Sequence, residues 1–189
     1  GETVFLVGGN GSGKSTVLRT ITGLLPHDGG AIRVDGNSVV GNLIAGYREL
    51  FSAIFVDFHL FDKLYGLEDV DPIDVNKMID DMGLSGKVFF EDGRFNELAL
   101  STGQRKRLAL IAALLEDRPV YIFDEWAAEQ DVLFREEFHK RILPELKKKG
   151  KTIIAVTHDE RYWHIADRVV KMDLGSIEWE CAGTDLEAQ

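Results

Sequence analysis

The chain has 189 residues, and 22 Lys and Arg against 32 Asp and Glu leave a formal net charge of −10. So acidic a chain is ill matched to a phosphate backbone, which excludes nucleic acid as the main partner, and the single cysteine, Cys181, excludes a disulfide framework or a cysteine-based zinc site. The longest uninterrupted apolar run, Leu108 to Leu115, falls far short of the roughly 20 residues that span a bilayer. In chain order, Val4 to Val7 is a continuous apolar run, expected as a strand buried on both faces of a parallel sheet. A helix is expected over Ser15 to Thr22, with Gly23 able to cap it. Asp71-Pro72 opens another, with Asp as N-cap, Pro at the first helical position and Gly83 at the end. Ser101 to Leu115 reads as a strong helix stopped by Arg118-Pro119, and Val120 to Phe123 as a second buried strand. Asp131 to Lys149 carries Phe134, Phe138, Ile142 and Leu146 on one stripe, a long helix that Pro144 is expected to kink. Thr152 to Val156 is a third buried strand. The fold class is therefore α/β. Residues 1–52 and 118–189 are expected to form its core, with residues 53–117 as a mainly helical inserted lobe.

The three strands each end abruptly in polar residues, and ligands of open α/β sheets bind at the carboxyl edge of the strands. After the first strand comes Gly8-Gly9-Asn10-Gly11-Ser12-Gly13-Lys14-Ser15-Thr16, which fits the phosphate-loop pattern G-x-x-x-x-G-K-[ST] between a strand and a helix. Its glycines let successive N–H groups turn inward as an anion cradle, and the helix N-terminus adds partial positive charge. Lys14 is expected on the β- and γ-phosphates of ATP and the Ser15 hydroxyl on Mg²⁺. The second strand ends in Asp124-Glu125. Asp124 can hold the same Mg²⁺, and Glu125 can accept a proton from an attacking water.

Leu100-Ser101-Thr102-Gly103-Gln104 begins the Ser101 helix. Ser101 with Gln104 three residues on makes a capping box, yet Gly103 in the first turn is costly for a plain helix. The pentapeptide resembles the LSGGQ signature of ABC ATPases, with Thr102 in place of the first glycine. The order of motifs agrees: phosphate loop, signature, Asp-Glu strand end, then His158 after the next strand. The chain is thus identified as resembling the nucleotide-binding domain of an ABC protein, a P-loop NTPase core with a helical subdomain, over essentially its whole length. The segments Phe51 to Phe61, Phe123 to Asp131 and Ala155 to Asp159 are similar to bacterial exporters of cyclic peptides and siderophore precursors, the syringomycin and pyoverdine type.

The resemblance implies an ATPase motor of an exporter at the cytoplasmic face of a bacterial inner membrane, joined to a transmembrane partner. It implies a head-to-tail dimer in which Ser101, Gly103 and Gln104 of one domain reach ATP held by the other. Asp131 matches the D-loop aspartate, and His158 the switch histidine on the γ-phosphate; His27, His59, His139 and His164 are expected to be structural. Val56 stands where most members carry a Mg²⁺-touching Gln; Asp57, a water or a smaller ligand set would compensate. The upstream strands and adenine-stacking aromatic of the family are expected to precede residue 1. Two other readings are a soluble ABC ATPase of DNA maintenance or translation and a non-hydrolysing dimerisation module. The first is opposed by the charge and by the lack of sustained heptads, the second by Glu125.

Overall fold

The computed structural model describes residues 1–186. Residues of β1 (Thr3–Val7) are buried without alternation, as a strand covered on both faces requires. The phosphate loop leads into α1 (Lys14–Ile21), followed by a hairpin of β2 (Arg33–Val34) and β3 (Asn37–Ser38), then α2 (Leu43–Arg48) and β4 (Phe51–Ile54). Next come α3 (Pro72–Asp81), a small hairpin of β5 (Phe90–Glu91) and β6 (Arg94–Phe95), and α4 (Thr102–Glu116). The chain then runs through β7 (Val120–Asp124), α5 (Val132–Glu137), α6 (Leu143–Lys148), β8 (Thr152–Val156), β9 (Arg168–Asp173) and β10 (Ser176–Ala182). The main sheet has the order β10-β9-β1-β8-β7-β4, parallel except for the antiparallel β10.

The helix starts follow the local chemistry. Asp71 caps α3 by accepting the Ile73 N–H at 2.8 Å, with Pro72 at the first position, and the capping box of Ser101 and Gln104 forms at the start of α4. Asp117, in the left-handed region at φ 49°, ends α4 just before Arg118-Pro119. The long helix expected over 131–149 is divided instead: a π-turn at Phe138–Ile142 separates α5 from α6. The irregularity precedes Pro144, which has no N–H to give and crowds the turn before it.

The expected division between residues 52 and 53 runs through β4, which pairs along its whole length with β7 and stays with the sheet. The stretch that follows is also less helical than expected. Only α3 and α4 are helices there; residues 55–71 are irregular, and β5 with β6 adds a hairpin. One apolar core joins the two parts: Ile79, Leu84, Leu108 and Ile111 of the inserted region are buried in the same cluster as Phe5, Tyr121 and Ile153 of the sheet.

Candidate active site

The carboxyl ends of β1, β7 and β8 meet at one edge of the sheet. There the phosphate loop wraps a cleft of about 440 Å³ whose walls include Gly11, Lys14, Thr16, Val56 and Glu125. Gly8 leaves β1 at φ 139°, and a Cβ there would lie 2.2 Å from the Met172 carbonyl oxygen, so no other residue fits. Gly13 is left-handed and sets the direction of α1. Lys14 is buried, and its ammonium donates to the carbonyls of Gly8 and Gly9, both at 2.9 Å, and to Ser12 Oγ at 3.3 Å. All three of its protons are thus committed to the loop.

At the end of β7 the buried Asp124 accepts from Ser15 Oγ through Oδ1 at 3.1 Å, while its Oδ2 is buried with no partner. Burial pushes the Asp124 carboxyl above its ordinary value, and the neighbouring Glu125 adds to this against the opposing pull of Ser15. A bare carboxylate oxygen beside a hydroxyl, next to a phosphate cradle, is a donor set suited to a hard divalent cation. The residues therefore fit Mg²⁺, whose charge would offset the cost of burial.

Glu125 adopts the left-handed conformation at φ 50°, ψ 35°, uncommon for a side chain with a Cβ. The turn it makes points its carboxylate back to the sheet edge, where His158 Nε2 lies 3.0 Å from Oε1. An ionised carboxylate has no proton to give, so the contact requires the proton on His158 Nε2. Glu125, His158, Asp124, Ser15 and the loop Gly8 to Thr16 therefore converge at this edge, as the motifs predict.

Ser101, Gly103, Gln104 and Asp131 do not join them. They form a second cluster around the first turn of α4. Asp131 caps α5 through the Phe134 N–H at 2.9 Å and pairs with Arg107, whose Nε donates to Gln130 Oε1 at 2.9 Å. Gln130 Nε2 in turn donates to the Gly103 carbonyl at 3.1 Å. A Cβ on Gly103 would lie 2.6 Å from the Glu129 carbonyl oxygen, which accounts for a glycine in a helix first turn. Arg107 and Gln130 were not legible as parts of this cluster. Lys106 was also missed, although its spacing from Gly103, Leu110 and Ala113 puts it on the buried stripe of α4. Asp57 pairs with Arg19 at 2.6 Å, and Val56 remains half-exposed in the cleft wall. His139 is buried and stacks on Tyr162.

Comparison with known families places these two clusters in context. Residues 1–128 match the family model described as ABC transporter. The chain is an ABC transporter ATP-binding domain. This ABC ATPase domain is 45% identical over 181 residues to the ATP-binding protein SyrD of Pseudomonas syringae pv. syringae, covering 94% of the chain and 32% of SyrD. It is 30% identical to the probable syringafactin export ATP-binding/permease protein SyfD of Pseudomonas syringae pv. syringae (strain B728a), over 98% of the chain and 30% of SyfD. The domain thus spans about a third of the length of these relatives. Among solved structures, cbiO1 from Clostridium perfringens, part of the ABC transporter complex cbiONQ, superposes with a TM-score of 0.74 at 27% identity, over 98% of this chain and 78% of that one. The P-loop NTPase fold of the ABC class is therefore the fold of this chain.

Proposed function

We propose that this domain hydrolyses ATP with Mg²⁺ as the motor of an exporter. The observation that carries the reading is the Glu125–His158 contact at the mouth of the phosphate loop, beside the Ser15–Asp124 pair. Gly8 to Thr16 cradle the phosphates, with Lys14 exchanging a loop carbonyl for a phosphate oxygen. Ser15 and Asp124 hold the Mg²⁺, which supplies charge neutralisation on the transferred phosphoryl group. Water attacks the γ-phosphorus in line; its oxygen forms the new P–O bond as the bond to the β-phosphate oxygen breaks, and ADP leaves. Glu125 takes the proton from that water, and His158, whose Nε2–H is donated to Glu125 in the free domain, turns it to the γ-phosphate when ATP is bound.

The second cluster is assigned to the partner. In a head-to-tail dimer, the start of α4, with Ser101 exposed, Gln104 partly exposed and Gly103 packed beneath them, closes over ATP bound to the other domain, with Asp131 beside it. The sheet with its flanking helices is the ATP-binding lobe, and the segment holding α3 and α4 is the signature lobe. No helix among the described residues is long and apolar enough to cross a membrane. On the strength of its family we assign the membrane passage to a transmembrane partner domain, with this domain at the cytoplasmic face of a bacterial inner membrane. The resemblance of residues 51–61, 123–131 and 155–159 to exporters of cyclic peptides and siderophore precursors, together with the likeness to SyrD and to SyfD, a probable syringafactin exporter, supports a cyclic peptide or siderophore precursor as cargo.

Glu125→Gln tests the chemistry. A general base typically contributes about 10²–10⁴-fold, so turnover should fall by that factor with ATP binding intact. The same variant should dimerise with ATP but not ADP in light scattering, and adding Ser101→Arg should abolish this. ATP hydrolysis at the wild-type rate by Glu125→Gln overturns the assignment. For the cargo, ATP-driven uptake of a cyclic lipopeptide into inside-out vesicles should stop in Glu125→Gln.

A further inference from the structure

The two clusters are joined by one side chain. Lys106 lies one turn into α4, is 1% exposed, and sends its ammonium into the turn after β7. There it donates to the carbonyl oxygen of Glu125 at 2.9 Å and pairs with Glu129 Oε2 at 3.1 Å. A buried ammonium without partners is costly, so these two contacts fix where the amine sits and, reciprocally, where the turn sits. The same stretch is tied to α4 twice more. Trp126 Nε1 donates to the Lys106 carbonyl at 2.9 Å, and Gln130 Nε2 donates to the Gly103 carbonyl.

Glu125 needs such support. A non-glycine residue at φ 50° persists only where its surroundings over-determine it. Its side chain supplies little of that support, because the carboxylate is partly exposed and among the described residues its partner is His158 alone. The peptide that follows it is what Lys106 holds. We infer that Lys106 is a positioning residue for Glu125: by anchoring the Glu125 carbonyl it keeps the carboxylate aimed at the attacking water, and it ties that aim to the seating of the helix whose N-terminus carries Ser101. The inference rests on Glu125 being the base. It assigns Glu129 a supporting part, since its carboxylate is half-exposed and steadies the ammonium without touching Glu125.

The test is steady-state ATP hydrolysis by the full-length protein in proteoliposomes, with Glu125→Gln as reference. Lys106→Met keeps an unbranched apolar stem, one atom shorter, and removes every donor. Its kcat should fall on the order of 10- to 100-fold, as for a misplaced reacting group, while KM for ATP and nucleotide affinity stay at the wild-type value. Lys106→Gln keeps a donor one atom shorter, so its kcat should lie between those of wild type and Lys106→Met at unchanged KM. Glu129→Gln keeps an oxygen that accepts from the ammonium and leaves the donation to Glu125 in place, so kcat should stay within about twofold. Wild-type kcat in Lys106→Met, or a loss that appears in KM or nucleotide affinity instead, overturns the inference. If Lys106→Met does not fold, Lys106→Gln decides alone: lowered kcat at constant KM supports the role and wild-type kcat refutes it. Full turnover in Glu125→Gln would instead remove the underlying reading of the base, a result separable from any outcome at Lys106.

Discussion

Gly103 sets two residue-level effects against each other. Replacing glycine by alanine inside a helix gains about 1 kcal/mol from backbone propensity. Here the added Cβ would lie 2.6 Å from the Glu129 carbonyl, a backbone atom that has to move, and such overpacking typically costs about 1–3 kcal/mol. The contact wins over propensity. Gly103→Ala should therefore lower the melting temperature by a few degrees, at about 2–4 °C per kcal/mol for a domain of this size. A raised melting temperature in calorimetry would show that the loop yields freely. Glycine at this position was legible as an anomaly but its cause was not, because Glu129 is remote in sequence and meets it only through the fold. The phosphate loop, Asp124 and Glu125 were legible because each follows directly from a short apolar run that fixes where it lands. The left-handed turn at Glu125 left no such mark, since glutamate is not a residue that announces positive φ.

At the level of elements, the stripe of Phe134, Phe138, Ile142 and Leu146 does face the core, and Trp126 stacks on Phe138 with ring centroids 4.4 Å apart. What periodicity could not reveal is the π-turn that lets Pro144 follow. Within it His139 is 1% exposed, stacks on Tyr162 at 4.1 Å, and lies 2.8 Å through Nδ1 from the Arg135 carbonyl, which makes Nδ1 the protonated nitrogen. Burial pushes its pKa below the ordinary 6.5; the Arg135 carbonyl and Asp159 pull it upward, while the charges of Arg135 and Arg161 push it down. The folded state thus keeps this imidazole neutral where the unfolded chain takes up a proton. Its contribution to stability is full above pH 6.5 and is lost as pH falls below that value towards the lower folded pKa. The slope is at most about 1.4 kcal/mol per pH unit. In urea unfolding between pH 7 and 5, His139→Gln should show a shallower decline than wild type. Parallel declines would mean that other groups carry the acid sensitivity of this helix pair.

For the whole molecule, the three parallel strands were legible from their unbroken apolar runs, and their polar ends correctly located the active edge. The strand order was not, because it depends on which distant segments pair, and no local pattern encodes that. Yet the order has a consequence for how the chain comes into being. Among the described residues β1 pairs with β8 and β9, both far downstream, with Thr3 beside Ile153 and Val4 beside Arg168. On the ribosome the strand that carries the phosphate loop emerges before both of these partners and must wait for them to complete its pairing. Until then its apolar residues are exposed, and the nascent protein is a candidate for chaperone capture. β4 and β7, by contrast, can pair with each other well before synthesis ends. A chain stopped after Gly150 should therefore leave the amides of Thr3 to Val7 exchanging freely with deuterium, whereas in the intact domain they are protected. Protection of those amides in the shortened chain would mean that β1 finds an earlier, non-native partner. If they exchange freely, the strand that carries the phosphate loop is seated only once β8 and β9 have been made.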